Sequence, residues 1–272
     1  DIFTKAGYLV TVWPTQGKED ATHVAARQGW WYDRVVCCGG DGTLSETVSG
    51  LLTLDQPPVL GYIPAGTTND FSRNLGLPRG VEKAAATAAA GFPRPCDMGR
   101  FNQRTFVYVA AFGIFTDVSY GTPQTFKSAF GHLAYVLEGA TKLGDLGRAY
   151  HLKVEHDGGT LEGDFLYGMV TNTNSVGGFK LFPPDQVSLD DGVFEVVLVR
   201  QPRNVADLQD TLLALVRQSA GSSSRVEAFH TRKLKVTAAE PLPWTLDGEY
   251  GGDPEIAKIE NLHKAITLVW GK

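Results

Sequence analysis

The sequence has few cysteines, no excess of positive charge and no long apolar run, and each absence excludes a class of protein. Three cysteines among 272 residues are too few for a disulfide framework or a cysteine-based zinc site. The formal net charge of -5 argues against a general nucleic-acid binder, which needs a basic surface to neutralise phosphates. The longest apolar run, FVYVAAFGIF at 106–115, is too short to span a bilayer, and no signal segment opens the chain. We therefore expect a cytoplasmic protein that does not bind nucleic acid.

Two catalytic signatures are also missing. The six histidines have no spacing typical of metal ligands, and no Gly-x-Ser-x-Gly elbow occurs. Zinc chemistry and hydrolase chemistry of that type therefore have no support in the sequence.

Short apolar segments alternate with helical segments in the first third of the chain. YLVTVW precedes a helical stretch from Glu19, RVVCC precedes one from Thr43, and PVLGYIP precedes the helical VEKAAATAAAG. Such alternation is typical of crossover units in a parallel sheet that is covered on both faces. The opening DIFTKAGYLV resembles the end of a helix that runs into a strand, so we also expect a strand and a loop upstream of it.

Paired β segments dominate after Pro93. They are RTFVYVAAF, YHLKVEHDGGTLEGDFLYGMVTN, GVFEVVLVR and TRKLKVTAAEPLPWTL, and glycine-containing turns separate them. Helices are expected at 123–143 and 204–219, and KAITLVW is expected to be the last strand. The pattern predicts an α/β class followed by a β-rich domain.

A glycine-rich turn follows RVVCC, in the stretch VVCCGGDGTLSETVSGLL. The turn and the helix start comprise Gly39, Gly40, Asp41, Gly42, Thr43 and Glu46. A glycine turn at a helix N-terminus is an anion site, because backbone N–H groups and the helix dipole meet there. Asp41 would repel a bare phosphate, so a divalent cation, usually Mg²⁺, is expected to bridge it to a nucleotide. The alternative is a tight turn in which Thr43 and Glu46 form a capping box.

The run GGDGT after a β strand resembles the motif of the diacylglycerol kinase catalytic-domain family, which includes sphingosine and ceramide kinases and is distantly similar to NAD kinases. GYIPAGTTNDFSRNLGLP, SLDDGVFEVVLV and TLDGEY are similar to later segments of that family and occur in the same order. FGHLAYVLEGATKL is similar to the bacterial soluble branch. The resemblance covers nearly the whole chain. It implies an α/β parallel-sheet domain, residues 1–94 with the C-terminal segment 256–272, and a β-sandwich domain, residues 95–255.

The resemblance also implies an ATP site in the cleft between the two domains. Thr67 and Thr68 can donate hydroxyl hydrogen bonds to phosphate, and ordinary helix capping is the alternative. By resemblance, Thr67 contacts the nucleotide while Asn69 and Asp70 order the cleft. Thr15 in PTQG is similar to a further nucleotide contact. The family normally has an Asn-Pro-type phosphate loop upstream, and this sequence has none.

Asp-Gly pairs occur four times, and an isolated pair between strands is usually a hairpin turn, as we expect at Asp157. Glu249 follows Asp247 by two residues, so both carboxylates would project from one face of an extended strand. Clustered acids can act as a general base or hold a metal, and a solvated turn is the alternative. The resemblance implies that Asp247 takes the proton from a lipid hydroxyl, with Glu249 as its partner and Asp41 as a third catalytic acid.

A structural Mg²⁺ is implied by the resemblance at SLDDGVF. Asp191 would supply its side chain, and Ser188 and Val193 would supply main-chain oxygens. One carboxylate with carbonyls and water suits Mg²⁺, which loses its hydration shell reluctantly.

The expected function is transfer of the ATP γ-phosphate to diacylglycerol, which gives phosphatidic acid. Alternatives are another lipid alcohol of the sphingoid type, a soluble substrate as in NAD kinases, and a non-catalytic binding module if the upstream phosphate loop is absent. The helix at 123–143 is flanked by a basic rim that could contact an anionic membrane transiently, although a solvated helix is the alternative. The rim comprises Arg100, Arg104, Lys127, Lys142 and Arg148. The family also suggests a homodimer.

Overall fold

The computed structural model describes residues 1–67, 69–113, 148–173, 175–176, 179–180, 182, 187–216 and 223–271. Within these ranges the helices are α1 (Ile2–Lys5), α2 (Asp20–Gln28), α3 (Asp41–Leu51), α4 (Asp70–Asn74), α5 (Val81–Ala90) and α6 (Val205–Val216). The strands are β1 (Arg34–Gly39), β2 (Val59–Pro64), β3 (Phe92–Phe101), β4 (Arg104–Phe106), β5 (Val109–Gly113), β6 (Tyr150–His156), β7 (Gly159–Thr171), β8 (Ser175–Val176), β9 (Phe179–Lys180), β10 (Phe194–Arg200), β11 (Val226–Thr231), β12 (Lys233–Ala238), β13 (Trp244–Leu246), β14 (Glu249–Gly252) and β15 (Ile256–Trp270).

The first half of the chain is an α/β unit, as the alternating pattern predicts. Strands β1 and β2 pair in parallel, with Arg34 opposite Val59. Helix α3 buries Leu44, Val48 and Leu51, which recur at helical spacing and so form a single apolar face. Helix α5 buries four alanines, whose small side chains let the helix lie close to β2. Because β1 ends at the glycine turn, the first residues of α3 lie at the edge of the sheet where β1 ends.

The second half of the chain is β-rich, and the predicted fold class is confirmed. Antiparallel strands build a second core around large aromatic side chains, namely Phe101, Phe106, Phe112, Phe165, Phe194 and Trp244. The turn at Asp157 joins β6 to β7, as its Asp-Gly pair predicts. The Asp157 carboxylate also accepts hydrogen bonds from the Arg232 N–H and the Thr231 hydroxyl, which links this turn to the β11–β12 turn.

The long strand β15 connects the two halves. Its first residues pair antiparallel with β12, and near its end Leu268 lies in parallel register with Leu60 of β2. Strand β3 pairs antiparallel with most of β15, except at a bulge between Leu262 and Ile266. Strands β1, β2, β15 and β12 are therefore neighbours in one continuous sheet.

Two predictions about local structure near the N-terminus are wrong. YLVTVW, predicted to be a strand, pairs with no strand in the described part of the chain, and Leu9 is fully exposed. A strand is stable only when a neighbour takes up its backbone hydrogen bonds, and among the described strands β1 pairs with β2 alone. Helix α3 begins at Asp41 rather than at Thr43, because Gly40 occupies the N-cap position.

The predicted helix at 204–219 is present as α6, and the predicted final strand starts earlier, at Ile256. The predicted helix at 123–143 lies outside the described residues. In the ranges that the structure describes, none of the helices has the length and hydrophobicity needed to cross a membrane.

Candidate active site

A cleft brings together predicted residues from distant parts of the chain. A cavity of about 810 Å³ opens between α3, the β3–β4 turn and the bulge of β15, and Gly42, Asp247 and Glu249 line it. A second cavity of about 590 Å³ adjoins it, with Gly40, Gly42 and Glu249 in its wall. The two cavities share Lys18, Gly42, Glu46 and Glu249. The GGDGT and LDGE motifs therefore face each other across one cleft.

The glycine turn depends on a close approach between two backbones. A Cβ on Gly66 would lie 2.5 Å from the Cα of Gly40, so a side chain there would force the two turns apart. The Ala65 N–H donates to the Gly39 carbonyl at 2.8 Å, which continues the pairing of β1 and β2 into their turns. The N-terminal ends of α3 and α4 consequently lie side by side.

Asp41 occupies a position that explains why an acid lies in this turn. Its Oδ2 accepts a hydrogen bond from the Asp70 N–H at 3.0 Å, and its Oδ1 accepts one from the Phe71 N–H at 3.4 Å. The carboxylate therefore caps α4, the helix next to its own. Burial raises the pKa of Asp41 to about 6; the charges of Asp70 and Asp247 act in the same direction, and the two N–H donors oppose them.

The alternative capping box at Thr43 and Glu46 does not form, because Thr43 lies inside α3, whose N-cap residue is Gly40. The Glu46 Oε1 instead accepts a hydrogen bond from the Glu19 N–H at 2.9 Å. Glu46 thus joins the start of α2 to α3 while it lines the cleft.

Asn69 closes the loop that carries Thr67. The Asn69 Oδ1 accepts hydrogen bonds from the Gly66 N–H at 3.0 Å and the Tyr62 hydroxyl at 3.3 Å, and its Nδ2 donates to the Gly66 carbonyl at 2.6 Å. Thr67 is exposed beside this loop, Asp70 is buried, and Thr68 lies outside the described residues.

Asp247 lies in the turn between β13 and β14, and its φ of 52° is in the left-handed region. Its Oδ2 accepts a hydrogen bond from the Val107 N–H at 2.7 Å, and its Oδ1 accepts from the N–H groups of Tyr108 and Val109 at 3.0 and 3.1 Å. Burial raises the pKa of Asp247, whereas these donors and the Ser45 hydroxyl lower it. Asp247 is thus a buried carboxylate that is fixed by backbone donors.

The prediction that Asp247 and Glu249 share one strand face is wrong, because the Asp-Gly pair forms a turn. Glu249 is exposed and Asp247 is buried, yet both line the larger cavity. A Cβ on Gly42 would lie 2.8 Å from the Glu249 Oε1. The absence of a side chain at Gly42 therefore lets Glu249 lie against the glycine turn.

Thr15 is not brought to this cleft. It lines a separate cavity of about 650 Å³ between the segment before α2 and the free edge of β1, together with Cys38 and Thr43. Thr43 borders both this cavity and the smaller cavity of the cleft, so the two cavities adjoin at the N-terminus of α3.

The SLDDGVF turn does not line the cleft, since Ser188, Asp191 and Val193 are in the wall of neither cavity, although its Gly192 packs against His263. The Val193 N–H donates to the Asp191 Oδ1 at 3.1 Å, while the Ser188 hydroxyl donates to Asp190 at 2.8 Å. Among the described residues, no three His, Cys, Asp or Glu side chains are grouped so as to hold a metal ion. The predicted donors here, one carboxylate and main-chain oxygens, are hard oxygen ligands of the kind that Mg²⁺ takes.

Several residues of the cleft have no signal in the sequence. The backbone donors at 107–109 follow no motif, and Ser45 looks like an ordinary helix residue. His263 also lines the larger cavity, although it is separated from the motifs along the chain. Only the three-dimensional fold brings these groups together.

The comparisons with known proteins agree with the order of these motifs. Residues 1–101 match the family model described as the diacylglycerol kinase catalytic domain, and residues 111–269 match that of the YegS C-terminal NAD kinase beta sandwich-like domain. The chain is similar to the diacylglycerol kinase of Bacillus subtilis (strain 168), with 38% identity over 99% of this chain and 88% of the relative. It is 36% identical to that of Staphylococcus aureus (strain Newman), over 97% of this chain and 83% of the relative.

Solved structures show the same fold. The chain resembles a crystal structure of a diacylglycerol kinase from Bacillus anthracis str. Sterne with a TM-score of 0.71 and 22% identity, over 94% of this chain and 83% of that one. A second crystal structure from the same organism has a TM-score of 0.79, again at 22% identity, over 94% of this chain and 84% of that one. From the family models and the identity over nearly its full length, the chain belongs to the diacylglycerol kinase catalytic-domain family and is a kinase by family.

Proposed function

We propose that this kinase transfers the γ-phosphate of ATP to the hydroxyl of diacylglycerol and forms phosphatidic acid. The observation that carries the proposal is the single cleft in which the glycine turn at Gly40 and Gly42 meets Asp247 and Glu249. The turn can take phosphate oxygens at the N-terminus of α3, and Asp247 lies where a hydroxyl next to those phosphates would be. Names of relatives that specify diacylglycerol support this acceptor.

Phosphoryl transfer requires mainly positioning and stabilisation of charge. In this proposal Gly39 to Thr43, Glu46 and Thr67 hold the nucleotide, and Asn69 fixes the loop beside them. Asp247 receives the proton of the acceptor hydroxyl at its carboxylate, and its burial favours the protonated form. Glu249, which lies against Gly42, acts as the partner of Asp247 and orients the reacting groups. Thr15 is proposed as a nucleotide contact on resemblance alone, because it lines a different cavity.

Divalent metal is proposed at two places. Asp41 offers a carboxylate beside the phosphate turn, where Mg²⁺ would supply positive charge next to the β- and γ-phosphates. At the second place Asp191 offers a carboxylate, and Ser188 and Val193 offer main-chain oxygens. The all-oxygen donor sets support both assignments.

We also propose a division into an α/β domain, residues 1–94 with 256–272, and a β-sandwich domain, residues 95–255. The parallel pairing of Leu268 with Leu60 supports placing the C-terminal segment with the first domain. Transient contact with an anionic membrane and a homodimer remain part of the proposal.

The described arginines of the basic rim are engaged within the protein. Arg100 lies 3.5 Å from Glu260, Arg104 donates to the Tyr250 carbonyl, and Arg148 pairs with Glu240. These contacts offset part of the positive charge available to a lipid surface. Lys127 and Lys142 lie outside the described residues.

The test is Mg²⁺-dependent transfer of labelled γ-phosphate from ATP. Dioctanoylglycerol in mixed micelles is compared with sphingosine in micelles and with NAD in solution, for wild type and Asp247→Asn. We expect label on the glycerolipid and a rate that falls about 10²- to 10⁴-fold in the variant, as for loss of a general base. Label on sphingosine or on NAD would show that this compound, and not diacylglycerol, is the acceptor. An absence of label on all three, from folded wild-type protein, would refute the kinase assignment.

A further inference from the structure

A buried carboxylate behind the cleft holds the bulge of β15 in place. Asp97 is fully buried, and its Oδ1 accepts a hydrogen bond from the Lys264 N–H at 2.6 Å. The Nδ1 of His263 lies 3.1 Å from the same oxygen. The Asp97 Oδ2 accepts from the Gly192 N–H at 2.6 Å. Asp97 therefore fixes a bulge, a histidine ring and a distant turn through one side chain.

These contacts fix the orientation of the His263 ring. An ionised carboxylate has no proton to donate. The hydrogen bond between His263 and Asp97 therefore requires the proton on Nδ1 of His263. A Cβ on Gly192 would lie 3.0 Å from the same nitrogen, so the glycine packs closely against this edge of the ring. About half of the His263 side chain is exposed. Its exposed part is consequently the opposite edge, which carries Nε2.

The exposed edge of His263 belongs to the compartment of the cleft that extends away from the phosphate turn. The larger cavity contains Asp247 and His263, whereas neither residue lines the smaller cavity with Gly40 and Thr43. A nucleotide whose phosphates bind at the glycine turn occupies the region that the two cavities share. The molecule whose hydroxyl meets Asp247 then extends toward His263.

The walls of this compartment suit the polar part of a substrate. Ser49 and Thr105 share a hydrogen bond of 2.6 Å across it, joining α3 to β4. Its other polar side chains include Arg100, Gln103, Arg104, Asn261 and His263, and the apolar side chains of Leu52, Leu246, Leu262 and Ala265 also line it. The polar side chains of this wall offer hydrogen-bonding partners to the oxygen-rich glycerol region of a lipid.

We propose that His263 binds the acceptor in the cleft, with its Nε2 hydrogen-bonded to an oxygen of the acceptor's glycerol head, and that Asp97 is the positioning residue for this ring. This inference rests on the proposed function, because it assigns the compartment beside Asp247 to the acceptor. Because the single hydroxyl of diacylglycerol is assigned to Asp247, the partner of His263 is an ester oxygen of the glycerol head, to which Nε2 donates when it carries a proton.

The kinetic test uses His263→Gln, which keeps a polar side chain but loses the ring. We expect the KM for dioctanoylglycerol in mixed micelles to rise about tenfold, as for one lost hydrogen bond, while kcat and the KM for ATP change less than about twofold. His151→Gln is the matched control. His151 is also about half exposed and pairs with a carboxylate, Asp164, at 2.9 Å, but it lies outside the cleft. The control should leave both KM values unchanged.

The test of positioning uses Asp97→Asn in the same assay. We expect the KM for dioctanoylglycerol to rise while the KM for ATP stays within about twofold, which a general loss of structure would not produce. If this variant does not fold, His263→Gln alone decides the proposal. An unchanged acceptor KM in His263→Gln, or an increase confined to the KM for ATP, would overturn it.

A binding measurement separates this inference from the proposed reaction. Long-range ¹H–¹⁵N NMR spectra report the ring nitrogens of His263, assigned by their loss in His263→Gln. Addition of dioctanoylglycerol in micelles should shift the Nε2 resonance, whereas empty micelles and ADP should leave it in place. If the wild type transfers no phosphate, the proposed function fails, yet this shift would still support His263 as a lipid-binding residue. Without the shift, the inference fails whatever the activity.

Discussion

Asp247→Asn should reduce the stability of the fold as well as its activity, because three backbone N–H groups converge on this carboxylate. An asparagine retains one accepting oxygen and places an NH₂ group at the other position. In the better orientation the oxygen keeps Tyr108 and Val109 as donors, and the Val107 N–H then faces the NH₂ group. A buried donor without a partner costs about 1–3 kcal/mol, and the two remaining bonds lose the assistance of the charge. Removal of a buried charge offsets part of this loss, so we expect the free energy of unfolding to fall by about 2 kcal/mol.

Urea unfolding followed by circular dichroism measures this change. With a slope of about 3 kcal/mol/M for a chain of this size, the midpoint should fall by roughly 0.7 M. Glu249→Gln is the control, because Glu249 is exposed and its loss should move the midpoint by less than about 0.2 M. If Asp247→Asn unfolds at the wild-type midpoint, the carboxylate does not hold the 107–109 segment, and the reasoning from these three hydrogen bonds is refuted.

Three further substitutions test other contacts. Gly50→Ala places a Cβ 2.3 Å from the Thr22 carbonyl oxygen, which should separate α2 from α3 and lower stability by about 2–3 kcal/mol; an unchanged melting temperature would contradict this packing. Gly42→Ala should lower kcat, with a stability change below about 1 kcal/mol, because the exposed Glu249 can move aside; wild-type kcat would show that their contact is dispensable. With the pKa of Asp41 raised to about 6, the folded state binds the proton of this carboxyl more tightly than the unfolded state does. In EDTA, this group should therefore make the free energy of unfolding fall as pH rises from about 4 to 6. Asp41→Asn should lose that pH dependence, and a variant that keeps the wild-type slope would exclude Asp41 as its source.

Local pattern predicts the regular elements of this protein well, because each depends on neighbours in the sequence. The alanines of α5 recur on one helix face, and the Asp157 pair forms the expected turn. The segment YLVTVW is the instructive exception. Its composition favours a strand, but strand formation depends on a partner strand that lies elsewhere, and in the part of the chain that the structure describes β1 pairs only with β2.

The chemistry of the site is less accessible from the sequence, because its contacts join residues far apart in the chain. The motif GGDGT indicates an anion site, but it contains no sign that Asp41 caps a helix 29 residues later. The TLDGEY motif likewise gives no sign of donors about 140 residues upstream. The contact between Asp97 and His263 spans 166 residues and follows no motif. Sequence reasoning can therefore select candidate acids, whereas the fold decides what each one contacts.

The acids of this cleft share one feature that bears on how the reaction must be tested. Asp41 and Asp247 each accept hydrogen bonds from the backbone of a distant segment, so their positions are set by main chain that cannot turn away as a side chain can. Groups fixed in this way need little reorganisation during the reaction, which favours catalysis. Because of the same bonds, a neutral substitute for either aspartate changes the hydrogen bonding of the backbone as well as the chemistry of the site. A loss of activity in Asp41→Asn or Asp247→Asn is therefore evidence for a chemical role only after stability has been measured, whereas Glu249, exposed at the same cleft, can report on chemistry directly.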